Sequence, residues 1–495
     1  MQRPELIDFK QERIRTLHLT WIAFFITFYI WFNMAPLATT MLREIEWLTP
    51  EHLKVLAIIN VALTIPARIV VGALIDRYGP RIVFSGLLIT MAFPAFAFAF
   101  GNTLTQLMVS RLLLSTIGAG FVVGIRMVAQ WFPPKMIGRA EGFYAGWGNF
   151  GSAWAAMTLP WFALTFLEKW FNVSDGWRWA LFLNGLVGLL YGIFYYFAVR
   201  DTPEGVEFQG TKKTQPMTVS SYGDLAQYIL WSFPIFGALG LLAWRISRIE
   251  ITDVDGTTSA LISGNMLWLI YGGLAIFYGV HVLKTLQVNL PILKAGVAEE
   301  DKYPFASVAA LNTTYVANFG AELAVVSMLP AFFEGTFEVT PAAAGLIASS
   351  FAFVNLFARP LGGLISDKLR NRKMVMTGYM VGISLGFFGM GFIESAWPIW
   401  LAILITVTCS IFVQGAEGAT FAIIPLINRR MTGQVAGMAG AFGNVGAVIY
   451  LVLYSMVDAR TFFFVLAAGA AFSFIYVMLF LKEPQDAFAD GMAAS

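Results

Sequence analysis

The chain has 495 residues, 58% of them hydrophobic and 13% charged, with a mean hydropathy of +0.70, whereas soluble domains carry about 25% charged residues. That balance excludes a soluble globular domain and reads as an integral membrane protein. The formal net charge of +2 says nothing about acidic partners and no run of basic residues suggests nucleic acid, and the single cysteine, Cys409, excludes an intrachain disulfide and makes a cysteine-based metal site implausible. His18, His52 and His281 are too scattered for a metal-ligand motif and read as surface or interfacial residues.

A hydrocarbon core about 30 Å thick takes roughly 20 apolar residues per helix. The first apolar stretch, Leu17 to Thr39, is longer than a signal-peptide core and has no clear small-x-small cleavage site, so it is expected to be a retained span. With that ruler, spans fall near 17–40, 52–75, 81–101, 104–131, 139–166 and 178–199. After a polar stretch come 226–246 and 266–284, separated by the acidic "RIEITDVDGTTS". Six more follow near 305–333, 341–366, 374–394, 397–426, 431–457 and 460–481. The expected fold class is an all-α membrane protein of fourteen transmembrane helices: two six-helix bundles, 1–200 and 305–482, a connecting region with two extra helices, 201–304, and a tail, 483–495. With the N-terminus inside, about 21 lysines and arginines lie in inside segments and about seven in outside loops, which predicts that both termini are cytoplasmic.

The two halves repeat. Arg68, Gly72, Asp76 and Arg81 align with Arg359, Gly363, Asp367 and Arg372 at one constant offset, and "GWGNFG" (146–151) aligns with "AFGNVG" (441–446) at nearly the same one. Two bundles related by an axis along the membrane normal place a substrate site at the midplane between them. "GALIDRYGPR" (72–81) and its second copy "GGLISDKLRNRK" (362–373) resemble the loop motif G-x-x-x-D-R-x-G-x-R/K of the major facilitator superfamily, which implies that fold.

Arg68 and Arg359 each stand eight residues before the aspartate of this loop, roughly 12 Å deep at 1.5 Å per residue. A charge at that depth is costly and persists where it faces a cavity or a partner. Neither has an acid three or four residues away on its own helix. Two such guanidiniums facing one cavity make a site for an anion, and arginine's planar fork suits a planar oxyanion better than lysine's point charge. The alternative is an arginine paired with a remote acid, Glu322 or Glu417. Arg111 and Arg126 lie nearer helix ends and read as structural or snorkelling residues.

Glycines at four-residue spacing surround Asn149 and, in the second half, Asn444. Helix packing accounts for most such glycines, but an amide at the same place in each half can donate to a small anion without adding charge. "GFYAGWGNFG" (142–151) and "GMAGAFGNVG" (437–446) resemble the paired G-x-x-x-G-x-G-N-x-G signature of the nitrate/nitrite porter family. The similarity extends to "WFNMAPLATTM" (31–41) and "YVANFGAELAVVSMLPAFF" (315–333). The resemblance implies a substrate held between Arg68 and Arg359, the second and eighth helices of the family's twelve-helix plan. It also carries over Asn149 as a ligand, and Phe121, Tyr315 and Phe319 as aromatic walls for the flat ion.

Glu322 and Glu417 lie mid-span and read either as proton-coupling groups or as permanent partners of Arg68, Arg359 or Arg126. The expected function is nitrate/nitrite transport by alternating access, as nitrate/nitrite antiport or as proton-coupled nitrate uptake. The alternatives are another small oxyanion or carboxylate as cargo, or a non-transporting nitrate sensor on the same fold. No triad, nucleotide loop, metal cluster or redox dithiol points to an enzyme, and no cofactor is expected. The partners implied are nitrate, nitrite, protons and the lipid bilayer. A monomer in a bacterial inner membrane is the expectation from the family and the lack of a targeting sequence. The inserted helix pair reads as a peripheral addition or as a docking site.

Overall fold

A computed structural model describes residues 8–132, 134–206, 208, 216–252, 258–369, 371–428 and 431–483. Beyond Glu483 the expected tail lies outside the described residues, as do the side chains of Asp76 and Asp367. Fourteen helices among the described residues are long and apolar enough to cross a membrane. The first six are Glu12–Glu44, Pro50–Ile75, Pro80–Ala99, Leu104–Trp131, Ala140–Trp170 and Gly176–Ala198; the inserted pair is Tyr222–Ser247 and Gly264–Ala295. The last six are Phe305–Phe337, Pro341–Ser366, Arg372–Met390, Ile399–Ile427, Thr432–Tyr454 and Ala459–Phe480.

Polar residues at the span ends start these helices. Thr49, Thr103, Ser221, Ser263, Thr340, Asn371 and Asp458 each accept from a backbone N–H one turn in, which satisfies donors that lipid cannot. A carboxylate from the end of each half does the same for its third helix. Asp201 accepts from Arg81 N at 2.7 Å, and Glu483 accepts from Arg372 N at 2.9 Å and Lys373 N at 2.7 Å.

The packing repeats with the sequence. In the first half the first span packs on the fifth, the second on the fourth and the third on the sixth. In the second half the corresponding pairs are ninth with thirteenth, tenth with twelfth and eleventh with fourteenth. Across the halves the fifth meets the tenth and the second meets the thirteenth, which are again equivalent pairs. The signature glycines permit two of these crossings. A Cβ on Gly151 would stand 2.9 Å from Tyr29 N, and one on Gly446 would stand 2.9 Å from Val316 Cα.

The inserted pair packs on itself, and its seventh span leans on the thirteenth. The segment between the two helices is more than a polar loop: Glu250–Thr252 pairs antiparallel with Thr258–Ala260, a small strand pair that the all-helical reading did not contain. His281, read as interfacial, stands well inside the eighth span, its Nε2 3.0 Å from Ser232 Oγ of the seventh. A hydrogen bond inside the hairpin makes that depth tolerable.

Candidate functional site

The second span breaks at Leu63, where its helix restarts at Thr64. Leu63 N donates to Ser115 Oγ at 3.0 Å and Thr64 Oγ1 to Ser115 O at 2.9 Å, so the fourth span fixes the restart. One turn on, Arg68 crosses to the other half. Its Nη1 donates to the carbonyl of Gly440 at 2.8 Å and its guanidinium lies 5.3 Å from the centre of the Phe121 ring.

Arg359 has the matching position on the tenth span and a different set of partners. Its Nη1 is 2.5 Å from Glu417 Oε2, an ion pair without hydrogen-bond alignment, and its Nη2 donates to Tyr315 Oη at 2.9 Å. The remote-acid alternative therefore holds for Arg359. Arg68 has no acid partner among the described residues. Close backbone approach between the tenth and twelfth spans explains the pairing: Gly418, next to Glu417, lies against the carbonyl of Arg359, where a side chain would clash.

Aromatic rings run through the site from half to half. The rings of Tyr315 and Phe319 stack at 5.2 Å and 20°, because a π-helical turn, Val316–Gly320, widens the ninth span between them. Such turns recur at functional sites. Tyr315 meets Phe421 edge-on at 5.4 Å, and Phe421 meets Phe121 edge-on at 6.1 Å. Phe121 is held from behind by Phe24 and by Tyr144, whose hydroxyl donates to the Gly120 carbonyl at 2.9 Å. The structure thus brings Phe121, Tyr315 and Phe319 together with both arginines, Arg68 lying over Phe121 and Arg359 bonded to the Tyr315 hydroxyl.

The two asparagines are buried but not equivalent. Asn444 Nδ2 donates to Gly440 O at 3.0 Å, the same carbonyl that holds Arg68. Both polar side-chain atoms of Asn149 lack a partner among the described residues, which marks a donor left for something else. Glu322 sits behind Arg359: its Oε1 accepts from Asn355 Nδ2 at 2.6 Å and Gln414 Nε2 at 3.2 Å, while its Oε2 has no hydrogen-bond donor among the described residues.

Sequence reasoning missed Phe421, Gln414, Asn355 and the Gly440 carbonyl. The three side chains each stand three or four positions from a flagged charge on the same helix, Phe421 and Gln414 from Glu417 and Asn355 from Arg359, so helical spacing could have found them. A backbone carbonyl leaves no such signal. Of its two readings, structural or snorkelling, Arg111 takes the structural one: it is fully buried, donating to Asn33 Oδ1 at 2.9 Å with its guanidinium 4.5 Å from the centre of the Phe98 ring. Among the described residues no group of three or more metal-ligating side chains occurs.

The Major Facilitator Superfamily model matches residues 20–311 and 311–491. The chain is 43% identical to the nitrate/nitrite transporter NrtP of Picosynechococcus sp. and 44% identical to NrtP of Nostoc punctiforme, in each case over 97% of its own length and 94% of the relative's. It is 28% identical to the high affinity nitrate transporter 2.5 of Arabidopsis thaliana, over 91% of its length and 75% of that protein's. Among solved structures, the xylose transporter XylE from E. coli in a partially occluded inward-open conformation aligns with a TM-score of 0.61 at 15% identity, covering 96% of this chain and 100% of that one. That likeness shows the fold.

Proposed function

Because the chain belongs to the nitrate/nitrite porter family of the Major Facilitator Superfamily, we infer that it is a nitrate/nitrite transporter working by alternating access, and not an enzyme. One observation carries the assignment of the site: a guanidinium from each half reaches a single row of aromatic rings formed by Phe121, Phe421, Tyr315 and Phe319.

Nitrate and nitrite are small, flat and singly charged, so affinity comes from directional charge-assisted hydrogen bonds. Arg68 and Arg359 supply the two forks. Asn149 supplies a neutral donor and the rings exclude water and fix the plane of the ion. Asn444 acts through the Gly440 carbonyl it shares with Arg68. An anion held by both forks ties the bundles together, and the bundles 1–200 and 305–482 then rock about it. Moving a lone anion into a negative interior costs about 2.3 kcal/mol per 100 mV, so the cycle is coupled, either to outward movement of nitrite or to protons through Glu322 and Glu417. The chain resides as a monomer in a bacterial inner membrane with both termini cytoplasmic, the side the lysines and arginines favour.

Counterflow of labelled nitrate in proteoliposomes tests this reading. Nitrate and nitrite inside should each accelerate uptake of label, while formate and phosphate should not. Equal acceleration by formate would reassign the cargo, and saturable nitrate binding with no counterflow would make the protein a sensor.

A further inference from the structure

We propose that Glu417 is a built-in stand-in for the transported anion, and that the proton it takes up jointly with Glu322 when nitrate displaces it from Arg359 is the coupling ion. This rests on the reading that nitrate binds between Arg68 and Arg359. In the structure neither fork is idle. Arg68 holds a carbonyl oxygen and Arg359 a carboxylate. An anion that engages Arg359 must push the Glu417 carboxylate aside or share the fork with a like charge. Either outcome strands a buried carboxylate without its cation, which is strongly unfavourable unless it is protonated.

The surroundings provide a place for that proton. Glu417 Oε1 and Glu322 Oε2 both lack a hydrogen-bond donor among the described residues, and the two carboxyl groups share one neighbourhood, since Glu322 is held by Gln414, three residues before Glu417, and by Asn355, four residues before the Arg359 that pairs with Glu417. Once Arg359 turns to another anion, two buried carboxylates in one neighbourhood are left without a paired cation, and one proton between them supplies the missing donor. The charged and titratable groups at the pair are Arg359 of the tenth span, which pairs with Glu417, and Tyr315 of the ninth, whose hydroxyl accepts from Arg359. Asn355 and Gln414 are neutral donors that hold the other Glu322 oxygen. No other base competes for the proton among these groups.

The charges then balance in both crossing states. Loaded, two guanidiniums offset one anion and one carboxylate; empty, they offset two carboxylates. A carrier loaded without the proton, or returning with it, would close around an uncompensated charge in a low-dielectric core. The proton enters from the side where nitrate binds and leaves with it, one per anion and with no net charge moved. The empty carrier can reset because Glu417 fills the anion's place, so net uptake does not require nitrite to return.

Proteoliposomes with a luminal pH dye and a clamped membrane potential test this. Wild type should take up about one proton per nitrate, driven by an inside-alkaline gradient and insensitive to potential. In Glu417→Gln the ratio of gradient-driven uptake to nitrate/nitrite counterflow should fall at least tenfold, leaving an obligate exchanger. Glu322→Gln, which keeps the Arg359–Glu417 pair, should lose nitrate-linked proton uptake and decides the matter if Glu417→Gln fails to fold. A wild-type proton-to-nitrate ratio in either variant overturns the proposal while leaving nitrate transport standing. Absence of counterflow in the wild type removes the transport reading and this one together.

Discussion

At the scale of single residues, two arginines that align in sequence do different work. Arg68 is held by a neutral carbonyl from the opposite half, Arg359 by a carboxylate of its own half. Both should be intolerant of lysine, since a point charge cannot keep one oxygen and grip another. A hydrogen bond to a charged group contributes about 1.5–3 kcal/mol, so Arg68→Lys and Arg359→Lys should each lower nitrate affinity by roughly 10- to 100-fold with membrane insertion unchanged. Wild-type half-saturation for counterflow in either variant would take that arginine out of the site. The asparagines should diverge as well. Asn149 makes no side-chain hydrogen bond with the described residues, so Asn149→Ala should weaken nitrate uptake without lowering the melting temperature. Asn444→Ala frees the carbonyl that holds Arg68, so it should lower both affinity and stability. Equal behaviour of the two variants in a melting assay would count against this division. The repeat made these four positions legible in the sequence, but a repeat presents its two copies as equals. What distinguishes the arginines is a backbone carbonyl on one side and the Glu417 carboxylate on the other, and only the second is written in a side chain.

At the scale of elements, the signature glycines separate into two kinds. Gly446 lies against the backbone of the ninth span, where a Cβ would stand 2.9 Å from Val316 Cα and 3.1 Å from Gly320 Cα; Gly437, two turns and more away, has nothing within 4 Å. Backbone cannot yield as a side chain can, so overpacking there costs about 1–3 kcal/mol. Gly446→Ala should therefore lower the melting temperature in detergent and disturb the π-helical turn that stacks Tyr315 on Phe319, while Gly437→Ala should leave stability as it is. Matching melting curves for the two would mean that the crossing has room to spare. The existence of fourteen spans was readable from apolar runs alone; their ends were not. The eighth helix continues to Ala295, well past the expected 284, because the polar residues that end the apolar run are engaged by the connecting segment. Asn289 accepts from Val219 N at 2.8 Å and donates to Met217 O at 3.1 Å. Hydropathy marks where a helix leaves the membrane, whereas tertiary hydrogen bonds decide where it stops.

At the scale of the whole molecule, the sequence displays a twofold repeat, and the packing obeys it. Which end of the central path is closed is a different matter, set by contacts that join the halves. Glu334, near the end of the ninth span, accepts from Thr39 Oγ1 at 2.5 Å and lies 3.4 Å from Arg43 Nη2, both at the end of the first span. These ends lie on the face opposite the termini, and the contact latches one half to the other there. Its strength suits a gate. Arg43 is more than half exposed, and an exposed ion pair contributes about 0–1 kcal/mol, which thermal motion breaks on every cycle. Replacing Thr39 and Glu334 with cysteines turns this weak latch into a covalent one. The native Cys409 is fully buried and leaves the pair undisturbed. If the bundles rock about the anion site, oxidative cross-linking should stop nitrate counterflow and a reductant should restore it, while either single cysteine variant keeps transporting under oxidant. A cross-linked carrier that still exchanges nitrate at the uncross-linked rate would mean that this face does not open during transport. The site would then need a second route to the far side of the membrane.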